Sequence, residues 1–137
     1  MRPMQRRHAL LLITGFLFSG AAFAQSVAIK GYDPIAYFQP GRATKGSESI
    51  SYEFDGTRYL FSSQKNRELF AKDPERYAPQ FSGLCAAGLA DGRTLEADPT
   101  AFIVREGKLY LFQGQKGVER VKADPSLLSH AHHNARK

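Results

Sequence analysis

The stretch DGTRYLFSSQKNRELFAKDP at residues 55–74 has a counterpart 51 residues further along the chain, EGKLYLFQGQKGVERVKADP at residues 106–125. Nine of the twenty aligned positions are identical, including the turn glycine, a Tyr-Leu-Phe run and the closing Asp-Pro pair. An internal match of this length without a gap indicates two related units. We expect each unit to bury its apolar face against the other.

A β-hairpin is predicted at the start of each unit. Apolar residues alternate with polar ones at residues 50–54 and again at residues 57–61, on either side of Asp55-Gly56. Residues 102–105 and 108–112 flank Glu106-Gly107 in the same way. Alternation of period two is typical of half-buried strands, and a two-residue turn ending in glycine joins such strands tightly.

Four Asp-Pro pairs are local sequence signals for the start of a helix. An aspartate accepts hydrogen bonds from the free N–H groups at a helix start, and proline fits the first helical position. Each pair therefore predicts a short helix, and each aspartate is interpreted as a cap and not as a ligand: Asp33, Asp73, Asp98 and Asp124.

These signals predict an α+β fold, a small domain of two related units that share one core. Each unit is a β-hairpin with short Asp-Pro-capped helices. The internal repeat covers approximately residues 33–77 and 98–128, and residues 78–97 form a linking segment between them. Tyr59 and Tyr110 are predicted to be core aromatics because both lie in alternating strands.

The first 24 residues have the pattern of a cleavable secretory signal. Positive charge at Arg2, Arg6 and Arg7 precedes an apolar run at residues 9–18 and an Ala-Phe-Ala sequence that ends at Ala24. This order of charged, apolar and small residues is that of an export signal. We therefore expect residues 25–137 to be a single domain that is periplasmic or secreted, by either the general or the twin-arginine route.

The charge pattern disfavours a nucleic-acid partner. The net charge of the whole chain is +6, but three arginines lie in the predicted signal, so +3 remains on residues 25–137. Those charges are interspersed and form no dense basic stripe. The rest of the chain has no apolar stretch long enough for a membrane-spanning helix, and the sequence does not determine the oligomeric state.

Cys85 is the best candidate for chemistry, because it is the single cysteine of the chain and no internal disulfide can form. The sequence predicts that Ser82 caps a short helix with Cys85 in its first turn, where the N–H groups favour a thiolate. A thiolate could bind copper or another soft metal ion, or take part in redox reactions. The alternative is a buried thiol that behaves as a small hydrophobe.

The C-terminal tail supplies a second candidate metal site at His130, His132 and His133. If the tail is helical, His130 and His133 lie on one face, as residues spaced i, i+3 do, and imidazoles so placed could bind Cu(II), Ni(II) or Zn(II). The alternative is a solvated chain end without a site.

Several stretches together resemble exported proteins of the YHS-domain family: GYDPIAYF at 31–38, YLFSS at 59–63 with Asn66, DPERYAPQ at 73–80, and Cys85-Ala86. Some members of this family are rich in cysteine and are thought to bind metal. Ser62 and Asn66 stand where those members have their paired cysteines, so metal binding by paired thiolates does not carry over. Cys85 matches the single cysteine of exported members, and residues 81–84 replace a Tyr-Gly-Gly-Tyr sequence.

The sequence thus favours an exported binding or accessory module that holds a metal ion or another small ligand, with Cys85 as a direct contact. One alternative is a single-cysteine redox enzyme in which Cys85 is oxidised and then restored by an outside thiol. Another is a structural partner protein without a small-molecule site. Familiar catalytic motifs such as G-x-S-x-G, H-E-x-x-H and C-x-x-C are absent from the sequence, which makes an enzyme the less favoured class.

Overall fold

The computed structural model of this chain describes Gly15 and residues 25–137, so nearly all of the predicted signal lies outside the described residues. Residues 25–137 form two hairpins and five helices in the order β1 (Ser47–Phe54), β2 (Thr57–Phe61), α1 (Gln64–Lys72), α2 (Pro74–Tyr77), α3 (Ala86–Ala90), β3 (Asp98–Arg105), β4 (Lys108–Phe112), α4 (Gln115–Ala123) and α5 (Ser126–Ala135). The predicted α+β class is therefore confirmed.

Both predicted hairpins are present, and each forms its own antiparallel two-stranded sheet. Asp55 and Gly56 have φ angles of 51° and 73°, and Glu106 and Gly107 have 52° and 74°. Two successive left-handed residues suit the right-handed twist of the paired strands, which is why short turns of this kind join hairpins. The turn residues thus set the register of each pair.

The strands of each hairpin and the helix that follows it recur in the same order and with the same lengths. β1 and β3 have eight residues, β2 and β4 have five, and α1 and α4 have nine. The longest described helix is α5, with ten residues. No helix among the described residues is long and apolar enough to cross a membrane, which takes about 20 residues.

A further similarity between the halves was not predicted. The short 3-10 segments Ala28–Gly31 and Gln80–Gly83 each contain two consecutive non-glycine residues with positive φ. The next stretch is held in the same way, since the Asp33 N–H donates to Thr44 O at 2.8 Å and the Cys85 N–H donates to Leu95 O at 2.9 Å. The predicted linking segment 78–97 therefore contains structure that resembles residues 28–45.

Two of the four Asp-Pro pairs start helices as predicted, since α2 begins at Pro74 and α5 begins at Ser126. The predicted capping role of Asp73 is nevertheless wrong, because its side chain makes no capping hydrogen bond. The prediction is wrong for Asp98, which is the first residue of β3 and accepts the Thr100 N–H at 2.8 Å. It is also wrong for Asp33, which precedes a run of turns.

The physical reason is that an aspartate side chain can accept the N–H two residues ahead in several backbone geometries. Asp33 Oδ1 accepts the Ile35 N–H at 2.8 Å without any helix following. At Asp33, Asp98 and Asp124 the dipeptide therefore signals a local hydrogen bond, and the surrounding structure decides whether a turn, a strand or a helix comes next.

Three apolar clusters make up the core. One lies in the first half around Phe70, and another lies in the second half and includes Cys85 and Phe112. The third joins the halves by bringing Tyr37 against Leu109 and Leu111.

Tyr37 also links the halves by a hydrogen bond, because its buried hydroxyl donates to Pro99 O at 2.7 Å. Burial raises the pKa of Tyr37 far above its ordinary value, and the nearby Tyr32, Asp98 and Asp33 raise it further. The Tyr37 hydroxyl therefore remains protonated, and able to donate this hydrogen bond, at neutral and moderately alkaline pH.

Replacing Gly46 with alanine is expected to destabilise the first hairpin by about 2–3 kcal/mol. A Cβ at Gly46 would lie 2.5 Å from Leu60 C and 2.6 Å from Phe61 N, so the backbone of the neighbouring strand would have to move. Urea denaturation followed by circular dichroism measures the loss. Gly114→Ala is the matched control, because a Cβ there meets nothing within 4 Å and a change of less than about 1 kcal/mol is expected. Equal losses in both variants would contradict the packing argument.

Candidate functional site

Cys85 lies at the beginning of α3, where it is the N-cap residue. Its Sγ accepts the Gly88 N–H at 3.4 Å, and the residue is only 3% exposed. The predicted role of Ser82 as the cap is wrong, because Ser82 has a φ of 55° and lies in the left-handed segment Gln80–Gly83. That segment directs the chain so that Cys85 itself, and not a residue before it, reaches the helix start.

One wall of an open pocket of about 470 Å³ is formed by Cys85. The other walls come from α3, from the loop that follows it, and from the first turn of α4. The lining residues are Cys85, Ala87, Gly88, Asp91, Arg93, Leu95, Gln113, Gly114, Gln115, Lys116, Gly117 and Arg120. The thiol is thus packed in the core of the second half and also borders a space large enough for a small ligand.

At the corresponding place, the first half has a buried carboxylate. Asp33 is fully buried, and its Oδ2 accepts hydrogen bonds from Ser62 N at 2.8 Å, from Ser62 Oγ at 2.7 Å and from Asn66 Nδ2 at 2.8 Å. These bonds tie the stretch after Tyr32 to the end of β2 and the first turn of α1. Asp33 therefore caps no helix, and its carboxylate is instead the centre of a buried hydrogen-bond network.

In the second half, Cys85 stands 52 residues after Asp33, and Gln113 and Gly117 stand 51 residues after Ser62 and Asn66. A Cβ at Gly117 would lie 3.0 Å from Phe112 Cδ1 and 3.3 Å from Ala87 Cβ. Glycine at this position therefore lets α4 pack closely on α3. It also supplies no side chain to fill the space beside Cys85.

The first turn of α4 gives the pocket a positive potential. Its N-cap is Gly114, which has no side chain to accept the helix N–H groups, whereas Ser63 caps α1 by accepting the Asn66 N–H. The positive end of the helix dipole is therefore not offset by a capping oxygen. Arg93 and Lys116 add charge, and neither forms an ion pair with any residue that the structure describes.

The remaining charges of the pocket neutralise each other. Arg120 donates to both carboxylate oxygens of Asp91, at 2.8 and 2.9 Å. This hydrogen bonding lowers the pKa of Asp91 and raises that of Arg120, and the proximity of Cys85 adds a smaller increase to the pKa of Arg120. Arg120 therefore lies close enough to Cys85 to interact with it electrostatically.

The three predicted tail histidines lie in different surroundings. The His132 ring packs against Phe81, with ring centroids 4.8 Å apart, and its Nε2 lies 3.0 Å from the Tyr110 hydroxyl. His130 and His133 are exposed. Within the described ranges, no group of three or more His, Cys, Asp or Glu side chains could hold a metal ion. Metal binding by these histidines or by Cys85 stays a prediction.

Tyr59 and Tyr110 are 7% and 5% exposed, which confirms that they are core aromatics. Burial raises the pKa of both hydroxyls. The pocket residues that the sequence did not single out are Arg93, Lys116 and Arg120. The available signal was the departure of the second unit from the first at Gly114 and Gly117, where glycines replace Ser63 and Asn66.

The fold and the pocket define a small α+β domain with two hairpin units and one open site beside a buried thiol. Residues 35–81 match the family model of the YHS domain, so this part of the chain is similar to that family. The matched residues include β1, β2, α1 and α2 and end four residues before Cys85, so the pocket lies beyond them. No curated protein and no solved structure matches the chain at a significant level.

Proposed function

We propose that this chain is an exported YHS-domain protein that binds a small ligand in the pocket beside Cys85. The observation that supports the proposal most directly is the contrast between the halves. Where the first half has the buried Asp33 network, the second half has a thiol, two glycines and an uncapped helix start around an open space.

The charges of the pocket favour a small anionic ligand over a metal cation. Arg93 and Lys116 would repel a cation, whereas Asp91, the acidic residue among the lining side chains, is occupied by Arg120. A ligand with a carboxylate or a similar group would interact favourably with α4 and Lys116, and its remaining part would contact Cys85. The ligand would then be held by charge at one end and by the thiol at the other.

The proposal predicts that Cys85 reacts in the native protein and that it prefers anionic reagents. We expect iodoacetate to react faster, relative to neutral iodoacetamide, than it does with a free thiol, because the pocket concentrates anions. Lys116→Gln should lower that rate ratio by about two- to fivefold at low salt. The rates are measured by intact mass spectrometry of the folded protein.

Lys65→Gln is the matched control, since Lys65 stands 51 residues before Lys116 in the repeat and is exposed on α1. It should leave the rate ratio unchanged. A thiol that reacts only after unfolding would show that ligands cannot reach Cys85, and the binding proposal would then fail. Peroxide consumption that disappears in Cys85→Ser would instead favour the single-cysteine redox enzyme.

The exported location has its own test, because it depends on residues 1–24 and not on the pocket. We expect the protein recovered from outside the cytoplasm of its native host to begin at Gln25. Intact mass measurement gives the cleavage point. A chain that keeps residues 1–24 in that fraction would argue against a cleavable signal.

A further inference from the structure

The C-terminal helix presents a basic face that the Cys85 pocket does not use. Ser129, His132, His133 and Arg136 are spaced i, i+3, i+4 and i+7 along α5, which places them on one side of the helix. Together with Lys108 at the start of β4, these residues line an open pocket of about 360 Å³. The pocket is therefore built from one helix face and the end of a neighbouring strand.

A second pocket of about 370 Å³ adjoins the first and shares Lys108, Ser129 and His132 with it. This second pocket adds Arg105 and Glu106 to the charged lining. Among the described residues that line the two spaces, Glu106 is the only acidic side chain, against the positive charges of Arg105, Lys108 and Arg136. The local charge is thus positive even when the histidines are neutral.

The helix and the His132 ring of this face are held in place by packing and hydrogen bonds. Leu128 and Ala131 bury the opposite side of α5, and Asn134 Nδ2 donates to Leu89 O at 2.8 Å. The His132 ring is positioned by its edge contact with Phe81 and by the Tyr110 hydroxyl. Because the helix and the imidazole are already ordered, the conformational freedom lost on binding would be mainly that of the exposed Lys108 and Arg136 side chains.

We propose that this face binds an oxyanion of the size of phosphate, held by Lys108, His132 and Arg136, with the Ser129 hydroxyl as a further donor. Ammonium and guanidinium groups form short, charge-assisted hydrogen bonds with oxyanions, and a guanidinium can bind two oxygens at once. A protonated imidazole adds a third positive donor. The site is separate from the Cys85 pocket and does not rest on the function proposed for it.

Binding at this face should depend on pH through His132. Burial, followed by the nearby Lys108 and Arg136, lowers the pKa of His132, which keeps the free ring neutral at neutral pH. The groups around it are Tyr110 and Lys108 on β4, His133 and Arg136 on α5, and Arg105 and Glu106 at the β3–β4 turn. A bound anion favours the charged ring, so the pKa of His132 rises on binding and affinity increases as pH falls.

The test is a titration of the purified protein with inorganic phosphate, followed by NMR. We expect saturable shifts confined to residues 105–110 and 129–136, and a higher pKa for the His132 ring in phosphate than in sodium chloride of equal ionic strength. Lys108→Ala and Arg136→Ala should each weaken phosphate binding by about two- to fivefold. Both residues are exposed, so the variants are expected to fold, and their NMR spectra in the absence of phosphate check this.

Lys72→Ala is the matched control, because Lys72 is an exposed lysine near the end of α1 and lies in neither pocket. Its phosphate affinity should equal that of the unaltered protein. The proposal is overturned if sodium chloride produces the same shifts as phosphate. It is also overturned if Lys108→Ala and Arg136→Ala bind no more weakly than Lys72→Ala.

Discussion

Replacing Phe70 with alanine is expected to lower the free energy of unfolding by about 3–5 kcal/mol. Phe70 is fully buried, and its ring lies among four other aromatic rings with centroid distances from 4.7 to 6.1 Å: Tyr52, Phe54, Tyr59 and Phe61. Removing it leaves a cavity in the centre of the first-half core and deletes all four ring contacts. A domain of this size has about 5–15 kcal/mol of stability, so the loss would leave the variant close to unfolding.

Urea denaturation measured by circular dichroism gives the size of this effect. Phe70→Leu is the matched control, because it keeps most of the apolar volume and should lose about 1–2 kcal/mol. A loss below about 1 kcal/mol for Phe70→Ala would mean that the surrounding rings close the space, and that the cluster is packed less tightly than the ring distances indicate.

Replacing Asp33 with alanine is expected to destabilise the protein by about 3–4 kcal/mol. The carboxylate accepts from Ile35 N, from Ser62 N and Oγ, and from Asn66 Nδ2, all at 2.7–2.8 Å. Alanine would leave the buried Ile35 N–H without its acceptor, and it would remove the group that joins Ser62 and Asn66 to this stretch. The strength of such bonds to a charged acceptor, together with the burial of Asp33, makes this loss large.

Asp98→Ala is the matched control for that variant. Asp98 precedes a proline in the same way as Asp33 and accepts from Thr100 N at 2.8 Å and from Thr100 Oγ at 2.7 Å, but it is exposed. Water can replace its bonds, so a loss of less than about 1 kcal/mol is expected. Both free energies come from the same denaturation experiment. Similar losses for the two aspartates would show that burial does not decide the importance of the Asp33 network.

The two hairpins and the helices after them could be predicted because their signals are local. A two-residue turn such as Asp55-Gly56 or Glu106-Gly107, flanked by alternating apolar residues, determines strand length and pairing over about a dozen positions. The Asp73-Pro74 pair acts over a similarly short range, since α2 begins at Pro74. Each of these signals is contained in the segment that it organises.

The Asp-Pro pairs show where local signals stop being sufficient. Asp33 and Asp98 make the same hydrogen bond to the N–H two residues ahead, yet one precedes a run of turns and the other begins β3. The side chain satisfies one donor in either case and does not select the structure that follows. Residues 98–105, which begin at Asp98, form a strand because they pair with β4.

The sequence by itself determined the α+β class, the two hairpins with their turns, and the presence of a single thiol at Cys85. The tertiary structure alone decided that Cys85 caps α3 and borders a pocket, because that pocket forms where α3 and the first turn of α4, some thirty residues apart, pack through Gly117. The basic face of α5 likewise needed Lys108 brought beside it from β4. Turns and caps act within a few residues, whereas a site depends on which distant surfaces the burial of apolar side chains brings together.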